Sequence, residues 1–290
     1  MSVISAFTIT GTKKKNKMKQ EPKRILFVNS EMMPFLPETK ISKIGRFLSQ
    51  GIQEKGKEIR SFMPRYGCIN ERRNQLHEVI RLSGMNIVID DIDRPLIIKV
   101  SSIPAARMQV YFIDNEDYFQ RKFIYQDADG KFYEDNDERA IFFARGVIET
   151  VKKLRWKPDV VHCQGWMASI VPIMLKKVYH EDPLFENVKV VTSVYNEFQE
   201  ERFSDKIASK LDIANLTEEE KAIFGEFKSA DMTNMALHFS DGAIIADENF
   251  DKKIADALAE SGKPVLDYVD AENDETYIDR YNEFYDKLLG

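Results

Sequence analysis

Cysteine and histidine are scarce in this 290-residue chain, which has two cysteines (Cys68, Cys163) and four histidines (His77, His162, His180, His238). No disulfide framework, CxxC pair or zinc spacing can be assembled from them, so reduced thiols and no metal are expected. No apolar run reaches the roughly 18 residues that span a bilayer. No basic segment precedes the short apolar stretch at the start of the chain, so neither a membrane span nor a signal peptide is expected, and a cytoplasmic location follows. GxGxxG and GxxxxGK[ST] are also missing. Backbone cradling of a dinucleotide or a P-loop phosphate therefore has no support, and no cofactor is expected.

Hydrophobic residues make up 43% of the chain and charged residues 31%, which suffices for a large core and excludes a low-complexity protein. The formal charge of -6 is uneven: residues 1–24 carry seven Lys or Arg against Glu21 alone, and the remainder is strongly acidic. An acidic body argues against a nucleic-acid footprint, which needs a basic stripe on the folded surface. Residues 1–23 are expected to form a mobile basic leader ahead of one domain over 24–290.

Arg24–Asn29 is short, apolar and β-branched, as a buried strand requires. Ile44, Phe47, Leu48 and Ile52 fall at helical spacing before Gly56, and Ile59–Met63 predicts the next strand. Strand, helix, strand with short connections is the unit of a parallel sheet. Residues 77–113 break the rhythm with strand-like runs at 78–82, 86–89, 96–100 and 109–113, a β-rich insertion. Alternation resumes with a helix at 139–154, a strand at 159–163, a helix at 167–178, a strand at 188–194, a helix at 231–240 and a strand at 242–246. The fold class is α/β: a Rossmann-like, doubly wound, mostly parallel sheet that binds ligands at the carboxyl ends of its strands. Tyr277, Tyr281, Phe284, Tyr285 and Leu288 share one face of a final helix over about 274–289, expected to dock back on the domain.

Asp127–Gly130 with Glu138 imitates a calcium loop, but Phe132 stands where the sharp turn needs glycine, so a tight turn is expected. His162 and Cys163 are strand neighbours facing opposite sides and cannot pair; Cys163 is a nucleophile or a small buried hydrophobe. Asp135, Asn136 and Arg139 at a helix start, His162 and Trp166 after one strand, and Asn196 after another are candidates to converge at one sheet edge. That mix of amide, carboxylate and ring suits a polyhydroxylated ligand, or else it is a helix cap and core.

Ser30-Glu31-Met32-Met33-Pro34-Phe35, Ile59 to Gly67, Val79 to Gly84, Tyr133-x-Asp135-Asn136-x-x-Arg139 and Asp159-Val160-Val161-His162-x-x-x-Trp166 occur in this order. Together they resemble the N-terminal domain of bacterial glycogen/starch synthases, the ADP-glucose-dependent retaining glucosyltransferases of glycosyltransferase family 5. The similarity runs from about Arg24 to Asp247. It implies one half of a GT-B enzyme, glucosyl transfer to an α-1,4-glucan such as glycogen or starch, and α-glucan and ADP-glucose as ligands, with His162 the candidate catalytic residue. The family's Lys-Thr-Gly-Gly-Leu donor loop corresponds to Pro37-Glu38-Thr39-Lys40-Ile41. This exchange removes a lysine and two glycines, adds an acid, and hinders approach of a pyrophosphate to the backbone. The family's His-Ala-His-Asp-Trp becomes His162-Cys163-Gln164-Gly165-Trp166, and Thr-Ile-His-Asn becomes Ser193-Val194-Tyr195-Asn196. Phe239 to Ala246 resembles the family's strand before its interdomain hinge, and with some 40 residues after it the chain is expected to lack the family's second domain and to be weakly active or inactive alone. A partner chain supplying that half, a non-catalytic glucan-binding or regulatory role, or an interaction protein with a vestigial cleft and no sugar ligand, are the three expectations that follow.

Overall fold

The computed structural model describes residues 21–197, 201–249 and 252–290. Most of the expected leader lies outside them; Lys23, at its end, pairs with Asp159 at 3.3 Å. Among the described residues ten strands are seen: β1 (Arg24–Asn29), β2 (Glu58–Pro64), β3 (His77–Glu78), β4 (Met85–Ile89), β5 (Ile92–Ile103), β6 (Met108–Asp114), β7 (Val160–Gln164), β8 (Lys189–Val194), β9 (Gly242–Ile245) and β10 (Val265–Leu266). Their order is β10-β9-β8-β7-β1-β2-β6-β5-β3, with β4 paired to β5. From β10 to β6 every pairing is parallel; β5, β3 and β4 add antiparallel pairings. This is the α/β sheet with a β-rich insertion that the sequence predicts.

Five longer helices cover the sheet: α1 (Lys40–Glu54), α2 (Asn136–Leu154), α3 (Ser229–His238), α4 (Lys252–Ser261) and α5 (Tyr277–Leu289). Strand alternation assigns their partners. Ile25 and Phe27 of β1 face Ile44, Leu48 and Ile52 of α1 and Tyr281, Phe284 and Tyr285 of α5. Leu26 and Val28 join the opposite core with Phe142 and Val147 of α2 and Met232 and Met235 of α3. Helices α1 and α5 touch closely, because Gly51 leaves room for the Ile278 side chain.

Two sequence expectations change. Of the run at 78–82, only Glu78 joins the sheet; the chain then turns, with the Leu82 N–H donating to the Val79 carbonyl at 2.8 Å and Gly84 at φ +82°. The helix expected at 167–178 is broken into a 3-10 turn (Trp166–Ala168), an α turn (Val171–Ile173) and a π turn (Met174–Val178). Pro172 lacks the N–H that a continuous helix would need there and instead opens a new turn.

Candidate functional site

The parallel strands deliver their carboxyl ends to one edge, and three of them are followed by an acid there. Glu31 follows β1 by two residues, Glu197 follows β8 by three and Asp247 follows β9 by two. These three carboxyl groups, with Pro37, Thr39, Lys40, Ile41, Ile124, Tyr125, Tyr195 and Asn196, line a groove of about 520 Å3. The sequence shows Glu31 only as part of a motif and Asp247 only as the end of the family similarity, and Glu197 is passed over. Their common place just after a strand, at the ligand-binding edge of an α/β sheet, was the signal.

Thr39 is the N-cap of α1, its hydroxyl accepting from the Ser42 N–H at 3.0 Å and donating to Glu31 Oε2 at 2.8 Å. Glu31 Oε1 accepts from the Tyr125 hydroxyl at 3.1 Å. Lys40 reaches Asp247 at 3.2 Å and lies over the Tyr268 ring. Burial works against the Lys40 charge, but the Asp247 hydrogen bond and Coulomb attraction prevail, holding its pKa above the ordinary lysine value. The groove therefore has one cation, already paired, against three acids. Glu38 points out of the groove and pairs with Lys43 at 2.6 Å, so the acid gained in the exchanged loop does not face a ligand. The carboxyl groups that do are Glu31, Glu197 and Asp247.

Glu197 carries the most perturbed acid of this edge. Burial disfavours its charge, the carboxylates of Glu31 and Asp247 add repulsion, and one N–H from the Trp166 backbone does not compensate; its pKa is pushed up to about 8. At neutral pH Glu197 is mostly a carboxylic acid, able to donate a hydrogen bond as well as accept one.

The sequence-predicted residues divide. Asn196 is exposed on the groove wall. Asn136 and Arg139 are buried and directed inward: Asn136 donates to the Tyr125 carbonyl at 2.8 Å, and Arg139 donates to Tyr118 and Ile124 carbonyls at 2.8 Å each and to Asn136 Oδ1. Asp135 receives Arg121 at 2.7 and 2.5 Å. These three pin the loop that brings Ile124 and Tyr125 to the groove, and none of them lines it. Trp166 is core, with ring centroids 5.0 Å from Tyr125, 5.5 Å from Phe132 and 5.4 Å from Phe203.

His162 sits under α5, fully buried, with Nε2 2.7 Å from the Ser193 hydroxyl and Nδ1 2.7 Å from the Tyr285 hydroxyl. Burial drives its pKa down to about 3, so the ring is neutral. As β7 alternates, His162 is turned toward the helix α5 side, away from contact with a groove ligand. Gln164, where the resembling family has its second histidine, is also buried; it donates to Asn29 at 2.9 Å and accepts from Tyr195 at 3.2 Å. Gly165 has φ +79° and ψ 164°, a conformation essentially reserved for glycine. Cys163 is buried and its thiol pKa is raised by desolvation, which fits the small-hydrophobe reading. No metal-binding group of three or more His, Cys, Asp or Glu is found among the described residues.

A parallel α/β sheet with its ligand edge open and a terminal helix packed across β1 and β7 is the architecture of one lobe of a GT-B glycosyltransferase. The sequence profile of the starch synthase catalytic domain matches residues 24–263, and the chain belongs to that family. A glycogen synthase of Chlorobium limicola is 38% identical over 192 residues, covering 65% of this chain and 39% of that protein. One of Chlorobium chlorochromatii is 34% identical over 195 residues, covering 67% and 40%. The chain thus spans about 39% of the length of the first of these relatives. Among solved structures, the catalytic domain of Starch Synthase IV from Arabidopsis thaliana bound to ADP and acarbose superposes with a TM-score of 0.68 at 16% identity, over 86% of this chain and 52% of that one. No helix among the described residues is long and apolar enough to cross a membrane.

Proposed function

We propose that this chain is a glucan-binding lobe of the starch synthase type that holds α-glucan in the Glu31–Glu197–Asp247 groove and does not by itself transfer glucose from ADP-glucose. The composition of the groove carries this reading. A sugar nucleotide brings a multiply charged diphosphate, and against it stand three acids and one lysine already paired with Asp247. Thr39 and Lys40 put side chains where the resembling family has glycines. Transfer with a leaving diphosphate needs preorganised positive charge, and the groove lacks it. A neutral glucan meets no such penalty: Asn196, the Glu197 acid and the Glu31 carboxylate offer donors and acceptors to hydroxyls. Such a lobe would serve as a regulatory or targeting module of glucan metabolism in the cytoplasm.

Glucan-affinity electrophoresis and calorimetry test the reading directly. Retardation in a glycogen-containing gel, with no heat of binding for ADP-glucose at millimolar concentration, is the expected result. Saturable ADP-glucose binding, or incorporation of radiolabelled glucose into glycogen by the purified chain, would overturn it.

A further inference from the structure

A small hollow adjoins the groove and shares Tyr195 and Glu197 with it. It lies among the carboxyl ends of β7 and β8, the broken helix that follows β7, and helix α3. The centre of a water molecule has about 10 Å3 to occupy there.

Most polar side chains around this hollow are already committed. The Thr192 hydroxyl is 2.8 Å from the Ser240 hydroxyl, the Ser193 hydroxyl is 2.7 Å from His162 Nε2, and the Thr233 hydroxyl donates to the Ser229 carbonyl at 3.2 Å. Two others are not. The Trp166 indole N–H and the Ser169 hydroxyl have no hydrogen-bond partner among the described residues, although each residue is only 4% exposed. The break in the helix accounts for Ser169. In an unbroken helix a serine hydroxyl can return to the carbonyl four residues back; Ser169 instead closes the 3-10 turn Trp166–Ala168, where the Gly165 carbonyl accepts the Ala168 N–H at 3.1 Å. Glu197 completes the set: its carboxyl accepts the Trp166 backbone N–H, and Oε2 lies 3.4 Å from the point where a Cβ on Gly165 would stand.

These groups select the occupant. A buried donor without an acceptor is costly, and folded interiors supply the acceptor from protein or from ordered water. The indole nitrogen can only donate, so a metal cation gains nothing from it. Glu197 and the neighbouring Glu31 carboxylate repel an anion. An apolar group would leave both donors unmet. A water molecule accepts on two lone pairs and donates two protons, and the hollow has room for one.

We infer that the hollow is the binding site of one internal water, which accepts the Trp166 indole and Ser169 hydroxyl protons and donates to the Glu197 carboxyl. The groove acid is then held from behind by the core as well as by the Trp166 backbone N–H, and its own O–H is left for a ligand. The inference holds whichever ligand the groove takes.

A high-resolution crystal structure of the full chain should show one water within hydrogen-bond distance of Trp166 Nε1, Ser169 Oγ and a Glu197 carboxyl oxygen. In solution, rotating-frame NMR of nitrogen-labelled protein should show a cross-peak between the Trp166 indole proton and water, with the sign of a through-space contact rather than of chemical exchange. Trp156 is the internal control, because its indole N–H already donates to Glu58 Oε1 at 2.5 Å and should give no such peak. Ser169→Val puts a methyl where the water sits. The Trp166 cross-peak should vanish, and the melting temperature should fall by roughly 2–4 °C, the size of one lost hydrogen bond. Should that variant fail to fold, the two measurements on the parent protein decide. No water at this place in the crystal and no cross-peak in the parent overturn the inference, and a cross-peak that persists in Ser169→Val overturns the placement of the water. A water held by Trp166 and Ser169 but out of reach of Glu197 overturns its link to the groove.

Discussion

Replacing Glu197 with glutamine isolates the most unusual electrostatic feature of the groove. The folded chain holds the Glu197 proton up to about pH 8, whereas an unconstrained glutamic acid releases it near 4.5. Between those limits the folded state binds more protons than the unfolded state, so stability is fully present below about 4.5 and is lost as pH rises through 8. At about 1.4 kcal/mol per tenfold change in proton affinity the ceiling is roughly 5 kcal/mol. Partial solvent contact of the side chain and salt screening reduce this to about 2 kcal/mol. For a chain of this size that corresponds to a melting shift of about 4–8 °C. Glutamine keeps the shape and the oxygen that accepts the Trp166 N–H, but cannot ionise. Thermal melts followed by circular dichroism at pH 5 and pH 9 should therefore show similar stability of parent and Glu197→Gln at pH 5, and a variant about 4–8 °C more stable at pH 9. Parallel loss of stability by both proteins from pH 5 to 9 would refute the argument and with it the description of Glu197 as a neutral donor in the groove.

Tyr285→Phe removes a hydroxyl 2.7 Å from His162 Nδ1 in a dry interior; a loss of about 1–3 kcal/mol in urea unfolding is expected, with glycogen retention unchanged because His162 does not line the groove. Gly165→Ala forces a side chain into a glycine-only conformation and sets its Cβ 2.5 Å from the Ser30 hydroxyl, so calorimetric unfolding should show a destabilisation of about 2–4 kcal/mol. Installing the loop of the resembling family by Pro37→Lys, Thr39→Gly and Lys40→Gly together removes the N-cap and takes Thr39 from Glu31 and Lys40 from Asp247; a loss of about 1–3 kcal/mol is expected, with no ADP-glucose binding by calorimetry.

The sheet was legible in the sequence because buried parallel strands are written as continuous apolar runs, and those at Arg24–Asn29 and Val160–Gln164 have no other reading. Helix α1 was legible from periodicity, and α5 from its aromatic stripe. The helix break at Pro172 was written in the sequence too, but the apolar pattern on both sides of it masked the missing N–H. The site was less legible for a different reason. Asn136 and Arg139 have the chemistry of a sugar site, and which way their polar groups turn depends on carbonyls of residues 118–125, which no local pattern encodes. His162 had the chemistry of a catalyst, but a ring on the α5 face of β7 meets Tyr285, a partner 123 residues away. Glu197 carries no mark in the sequence, because its burial and its two neighbouring carboxylates come from distant segments.

The exchanged loop and the acidic edge are one device rather than two separate losses. Thr39 stands at the N-cap of α1 and binds Glu31; Lys40, the next residue, binds Asp247. Each loop side chain that hinders a phosphate also satisfies an acid that would repel one. Glycines at 39 and 40 would leave Glu31 with the Tyr125 hydroxyl alone and Asp247 without its lysine, in a groove where Glu197 is already mostly uncharged at neutral pH. The helix N-terminus, the part of such a lobe that favours anions, is thereby closed by its own cap and by two internal contacts. A ligand that arrives with hydroxyls in place of phosphates does not have to reopen it.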